Sequence, residues 1–361
     1  MVRGLAMVTA ASTLVLILFG GLVTNTGAAL AVPDWPTTFG YNMFFYPWSQ
    51  MVGGIFYEHS HRLIGSVVGL LTLALAAVLW RQGGRLRALG LVAAVAVAVQ
   101  GLLGGLRVVL LQDVLAIVHG CLAQAFFGLL AVIVLLTSPR ARSPLAPIAP
   151  STRALALAAA AVAYAQIMLG ALLTHAGIVD LHLVGAVAVF IIVPMLTARL
   201  RRSGDPVAAP LATALLALLG VQLALGIGAY LARFSVLWIP GGQATMLALP
   251  VAHRLVAALI LAATVVLAVR VSEKRETAQE EAQVGKKEQI GESHAAARTS
   301  LRPPTALPTS EASIQQRSHS APIARHLRSE PISDSPIQQR SHSAPVARHP
   351  RIEPTSHGSM Q

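Results

Sequence analysis

Residues 114–136 read VLAIVHGCLAQAFFGLLAVIVLL, an uncharged apolar run with one histidine, His119, near its start. A bilayer hydrocarbon core of about 30 Å takes roughly 20 such residues in an α-helix, so the run predicts a membrane span. Seven similar runs lie at about 5–23, 62–80, 88–106, 152–173, 181–199, 210–231 and 249–271. Their frequent glycines and alanines suit spanning helices, which pack through small residues. The expected fold is an all-α integral membrane protein of eight transmembrane helices.

Composition supports this reading. Of 361 residues, 55% are hydrophobic and 12% charged, and the mean hydropathy is +0.65; a soluble chain carries about 25% charge. The net charge of +12 and pI near 11.1 would suit a nucleic-acid binder, but residues 1–271 hold fifteen arginines, no lysine and five acids, with the arginines between apolar runs rather than on one basic face. No nucleic-acid partner is expected. Arginine bias sets topology instead. Eleven (Arg3, Arg81, Arg85, Arg87, Arg140, Arg142, Arg153, Arg199, Arg201, Arg202 and Arg270) fall in one set of loops, and only Arg62, Arg107, Arg233 and Arg254 in the other. Eight spans then put both termini in the cytoplasm, in a multi-pass protein of the cell (plasma or inner) membrane. Ala29-Leu30-Ala31 resembles a signal-peptide cleavage site, but the run before it exceeds the usual 7–15 apolar residues and is read as an anchor. The single Cys121 excludes an intrachain disulfide and any Cys-Cys metal site.

From residue 272 onward Glu, Lys, Gln, Ser, Pro and His dominate, too little apolar surface to offset the entropy of ordering. Residues 272–361 are therefore expected to be a disordered, low-complexity tail. IQQRSHSAP at 314–322 recurs at 337–345, a 23-residue period, and six of the twelve histidines lie in this tail.

The spans divide into two similar sets of four. GGLVTNTG at 20–27 matches GALLTHAG at 170–177, and QGLLGG from Gln100 matches QLALGIG from Gln222. Four spans per unit make the repeat parallel, about an axis along the membrane normal. The expected organisation is two tandem, pseudo-two-fold related four-helix bundles, residues 1–140 and 141–271. Equivalent residues then lie at equal depth, which singles out His61 with His182, and His119 with His253, all near the outer surface. Ionisable residues in a membrane are costly and read first as functional. Two inward imidazoles on neighbouring helices suit the axial positions of a haem iron, one haem per half. Zinc would want further Cys, Asp or Glu ligands. Arg62 and Arg254 directly follow histidines of this set and are candidates for the haem propionates, since guanidinium binds carboxylates bidentately.

The halves differ in one outer connection. Residues 24–60 form a long loop with nine aromatic residues, whereas its counterpart, 174–180, is short. The long loop is expected to lie at the interface and cover the first site. It leads into Glu58, three residues before His61 and on one helical face with it if the helix starts early enough. A carboxylate beside one haem alone suggests that one site reacts while the other supplies electrons, Glu58 acting in proton transfer or charge stabilisation; a plain ion pair with Arg62 or a helix cap is the other reading. His59 is expected to face outward.

Together, GGLVTNTGA at 20–28, DWP at 34–36, EHSHR at 58–62, GGLRV at 104–108 with QD at 112–113, HG at 119–120 and HR at 253–254 resemble the haem A synthase family of the respiratory-oxidase assembly pathway. The resemblance implies an oxidoreductase that converts the C8 methyl group of haem O to the formyl group of haem A by successive hydroxylations. It assigns His61 and His119 to the substrate haem (haem O, with haem A as product), Glu58 to the catalytic carboxylate, and His182 and His253 to a b-type haem that relays electrons. It also implies haem O synthase and terminal oxidase assembly factors as partners within the lipid membrane. Many bacterial members carry a cysteine pair in the first outer loop; this chain has none and resembles the cysteine-free type. His175, seven residues before His182, competes for the sixth-span role, but it aligns with Asn25 in the repeat. The rival readings are a di-haem b-type electron carrier that leaves haem unmodified and, more remotely, a transporter.

Overall fold

The computed structural model describes residues 1–143, 148–235 and 240–273, with Gln289. The expected disordered tail, with its repeat, lies outside the described residues beyond that point. Among the described residues eight helices are long and apolar enough to cross a membrane: α1 (Val2–Asn25), α2 (Gly54–Trp80), α3 (Gly84–Leu110), α4 (Asp113–Leu136), α5 (Pro150–Ala176), α6 (Val179–Leu200), α7 (Ala208–Phe234) and α8 (Gly242–Ser272). The protein is an all-α, multi-pass membrane protein, with one small exception inside the first outer loop, where β1 (Thr37–Thr38) and β2 (Tyr41–Asn42) form a two-residue antiparallel hairpin.

Each expected span is present, and most run further than their apolar stretch. The largest extension is in α2, which starts at Gly54 rather than near 62 and carries Glu58, His59, His61 and Arg62 as helical residues. Pro194 and Pro250 sit inside α6 and α8; packed membrane helices tolerate the hydrogen bond that proline removes.

Contacts close α1–α4 into one ring, each helix packing on the next and α4 returning to α1, and α5–α8 into a second ring of the same kind. The rings meet where α4 packs on α8, α1 on α8, and α4 on α5. Exchanging α1 with α5 and α4 with α8 maps this set of contacts onto itself, as a pseudo-two-fold axis requires.

The fully buried apolar side chains concentrate at one end of each ring. In the first, Ala6, Val68, Leu75, Leu79, Ala93, Phe126, Leu130 and Ile133 pack together; in the second, the cluster includes Ala156, Val193, Leu196, Leu215 and Leu267. These residues come from the starts of the odd helices and the ends of the even ones, the end opposite the long loop. At that end Asp205 and Arg270, both fully buried, pair at 3.0 Å. Arg270 also donates to the carbonyls of Ala141 and Ser143, while Asp205 Oδ1 accepts the N–H groups of Val207 and Ala208 and caps α7. The loop end of each ring is filled differently, by histidines, glycines and glutamines.

Candidate functional site

The four histidines singled out by depth lie within roughly three turns of the loop-side starts of the even helices. They meet in pairs. The imidazole of His61 on α2 faces that of His119 on α4, with ring centroids 6.4 Å apart and planes at 78°. His182 on α6 faces His253 on α8 at 6.3 Å and 71°. Two metal–imidazole bonds of about 2.0 Å, with about 1.1 Å from nitrogen to ring centre on either side, give roughly 6.2 Å between centroids. Both separations suit one iron between two rings. Among the described residues no group of three or more His, Cys, Asp or Glu converges as a metal site, so neither pair has the further ligands a protein-bound zinc needs.

The rings are seated alike. A Cβ built on Gly20 would lie 3.2 Å from His61 Cε1, on Gly104 3.4 Å from His119 Cε1, on Gly170 3.2 Å from His182 Cε1, and on Gly226 3.0 Å from His253 Cε1. Each imidazole thus rests edge-on against bare backbone of the preceding helix. Nδ1 of His61, His119 and His253 is enclosed without a hydrogen-bond partner. Buried polar atoms are rarely left so, and an imidazole that takes a metal on one nitrogen normally donates from the other.

His175 is partly buried at the end of α5, and it is His182 that faces His253. His175 lies close enough to Arg107, Asp113 and Arg254 to feel their charges.

Around the first pair the long loop folds back over the bundle. Arg62 NH1 donates to the carbonyls of Asp34 (2.7 Å) and Thr37 (3.1 Å), and NH2 donates to that of Val32 (2.9 Å) and to Glu58 Oε1 (2.8 Å). Glu58, 6% exposed, accepts the Val32 N–H at Oε2 (3.0 Å). The ion pair with Arg62 is therefore present, and both carboxylate oxygens are engaged. Asp34 holds the loop's own turn by accepting from Phe39 N–H, Gly40 N–H and the Thr37 hydroxyl. The Trp35 ring lies directly on Gly105, where any Cβ would collide with it. Gly105 adjoins Gly104, the seat of His119, so the loop reaches over the first site as its composition suggested.

His59 departs from expectation. It is 1% exposed, within hydrogen-bond distance of the Thr38 hydroxyl (3.1 Å) and packed on the Tyr46 ring. Helical periodicity does place it away from Glu58 and His61, but the returning loop, rather than lipid, covers that side.

Arg254 differs from Arg62. Its guanidinium lies near Gly21 of α1, at 3.8 Å from the Cβ position, and makes no hydrogen bond or ion pair among the described residues.

Three glutamines escaped the sequence reading as a set. Gln100, Gln166 and Gln222 each stand four residues before a histidine-seating glycine and reach the histidine of the next helix. The recurring Gln-x3-Gly at 100–104, 166–170 and 222–226 was the available signal.

Comparison with known proteins accords with this geometry. A family model described as cytochrome oxidase assembly protein matches residues 3–180. The protein named Heme A synthase from Alkalihalophilus pseudofirmus is 34% identical over 138 residues, and that of Shouchella clausii 33% over 141; each match covers 37% of this chain. A Haloarcula marismortui protein named Protoheme IX farnesyltransferase is 33% identical over 127 residues, 35% of this chain and 26% of its own. The chain spans 44% of the length of the two Heme A synthase relatives. With eight helices, two histidine pairs and these matches together, the chain is similar to the haem A synthase family, most clearly over its first half.

Proposed function

We propose that the protein oxidises the C8 methyl group of haem O to the formyl group of haem A by successive hydroxylations. In this reading residues 1–140 hold the substrate haem O between His61 and His119, and residues 141–271 hold a b-type haem between His182 and His253. The observation that carries it is the twofold recurrence of one arrangement, two facing imidazoles 6.4 or 6.3 Å apart, each seated on a glycine. The bound haems would supply the one-electron and oxygen chemistry that side chains lack.

The chain's own residues then divide the work. Glu58 is the catalytic carboxylate, fixed one turn from His61 by Arg62 and the Val32 N–H, and exchanges a proton at Oε2 while Oε1 stays with Arg62. Arg62, also a sequence candidate for a propionate, has both terminal nitrogens committed to protein oxygens. Its role is to hold the loop and Glu58 together. Arg254 has no such commitments and is the better partner for a haem carboxylate. The loop excludes water from the first site. The protein works in the cell membrane with both termini cytoplasmic, alongside haem O synthase and terminal oxidase assembly factors.

The test is to express the full chain in a host that makes haem O, purify it, and identify the extracted pigment by mass. Haem b together with haem O or haem A is expected, with haem A appearing only in cells that carry the chain. Haem b alone would turn the reading to a di-haem electron carrier, and a helical protein without any haem would refute it.

A further inference from the structure

The long outer loop uses only some of its aromatic residues to cover the first pair. Trp35 lies on Gly105, and the buried Tyr46 packs on His59 with ring centroids 5.2 Å apart. Phe39 and Tyr41 pack on Tyr46 in turn. Three rings remain. Phe44, Phe45 and Trp48 are 62%, 79% and 78% exposed. The first two belong to a short 3-10 turn, Met43–Phe45, that packs on α2, and the third to another, Trp48–Gln50. Large aromatic rings are costly to leave in water. The segment around them, residues 35–57, contains no Asp, Glu, Lys, Arg or His.

What covers these rings follows from where the loop lies. His59 and Leu70 are eleven residues apart, about three full turns, so they share one direction around α2. Leu70 is 69% exposed, and Val67 and Leu73 beside it are exposed as well. On a membrane span such an apolar flank faces lipid. The loop reaches His59 through Tyr46, so this part of it drapes over the lipid-facing flank of α2. The same contact fixes its depth. His59 precedes the apolar run of α2, which starts at about 62, by three residues, or about 4.5 Å. The headgroup layer on either side of the hydrocarbon core is about 5–7 Å thick. Phe44 and Phe45, next to Tyr46 in the chain, therefore stand at the level where aromatic side chains gather in membrane proteins.

We propose that residues 35–57 dock on the lipid of the loop-side leaflet through Phe44, Phe45 and Trp48, so that the cover of the first pair is moored to the bilayer as well as to the bundle. Tyr46 on His59 and the Arg62 latch hold its inner side, and lipid holds its outer side. The headgroup layer suits all three rings, since it takes their apolar bodies and still offers an acceptor to the indole N–H of Trp48. The mooring is independent of what occupies the histidines. It makes lipid, rather than water, the medium at the outer rim of the cover.

The experiment places a nitroxide on Phe45→Cys and, separately, on Trp48→Cys, each in a full chain carrying Cys121→Ala so that the label has one thiol. The protein is held in nanodiscs of phosphatidylcholine and phosphatidylglycerol. Power-saturation electron paramagnetic resonance then reads collisions with oxygen, which concentrates in lipid, and with a neutral nickel chelate, which stays in water. Leu70→Cys is the lipid control and Gln82→Cys, in the exposed turn after α2, the water control. At positions 45 and 48 oxygen collisions are expected to exceed nickel collisions, as at Leu70→Cys. A label at either position that meets nickel as freely as Gln82→Cys lies in water. A label at either position shielded from both reagents lies against protein, whether this copy or a second one. Either result overturns the inference and leaves the haem assignments standing.

Discussion

The most direct test of the histidine seats is to add one methyl group to each. Gly226→Ala puts a Cβ 3.0 Å from His253 Cε1, where ordinary contact begins near 3.4 Å, so the ring must give by several tenths of an ångström. Gly20→Ala and Gly170→Ala start from 3.2 Å, and Gly104→Ala from 3.4 Å. Overpacking of this kind costs about 1–3 kcal/mol, while exchanging glycine for alanine within a helix returns about 1 kcal/mol. The net loss at Gly226 is then up to about 2 kcal/mol, or roughly 30-fold in haem retention. At Gly104 the two effects nearly cancel. Gly101 and Gly220, which have nothing within 4 Å of a Cβ, are the controls and should show only the helical gain. Each variant is purified, its haem counted against protein, and its visible spectrum recorded. Losses ordered Gly226 first, Gly20 and Gly170 next and Gly104 last are expected, with the Gly170 and Gly226 variants altering the second haem and the Gly20 variant the first. A Gly226→Ala protein with full haem and an unshifted spectrum, or a Gly104→Ala protein that is the worst of the four, would refute the reasoning.

Three further outcomes follow from other contacts. Asp205→Ala removes the nearer carboxylate of the fully buried Arg270, leaving Glu273 at 3.8 Å, and should cost up to about 3–5 kcal/mol, read as a large drop in the detergent-phase melting temperature with the loop-side histidines unaffected. Burial acts to raise the Asp205 carboxyl pKa, but Arg270 and the Ala208 and Val207 amides hold it below the ordinary value; similarly, Asp34 lies below its ordinary value because the Gly40 and Phe39 amides and the Thr37 hydroxyl outweigh its partial desolvation. The stability both contribute is present above the unfolded carboxylate pKa near 4 and lost as pH falls through the folded values, so melting temperature should be steady from neutral pH down to about 5 and decline below about 4, less steeply in Asp205→Asn. Gly105→Ala drives a methyl into the Trp35 ring and should lift the loop, giving faster proteolysis within residues 30–45 and altered tryptophan fluorescence at unchanged helix content.

The spans were legible because a membrane helix announces itself by length alone, and all eight appear in order. Their ends were less so. The apolar run of α2 begins at about 62, whereas the helix begins at Gly54, since a helix entering the interface continues through polar residues that a hydropathy criterion cuts away. The histidine pairs were legible through the duplication, which converts sequence alignment into equal depth. Periodicity gives only the direction of His59 around its helix, and what fills that direction, here the loop bearing Thr38 and Tyr46, depends on contacts with residues 21 and 13 positions earlier in the chain. The commitment of Arg62 to three loop carbonyls was invisible for the same reason. The Gln-x3-Gly recurrence was in plain view, but its meaning needed the neighbouring helix that supplies each histidine.

A parallel duplication starts with two equivalent sites, so every departure from equivalence is a change made at one copy, and the departures here gather around one pair. The long loop, the latch through Arg62, the buried Glu58 and the Trp35 ring beside the seat of His119 all belong to His61 and His119. The second pair keeps a glutamine at each ring and a short connection. Two electron-relay sites would have no use for such a difference, since a relay asks only that each haem be held rigidly. A site that admits a bulky haem, changes it and lets it go needs a cover against water and a proton-handling group. The cover and the buried carboxylate separate the first pair from the second, and under the proposed function that asymmetry is what favours the first pair as the site of oxidation.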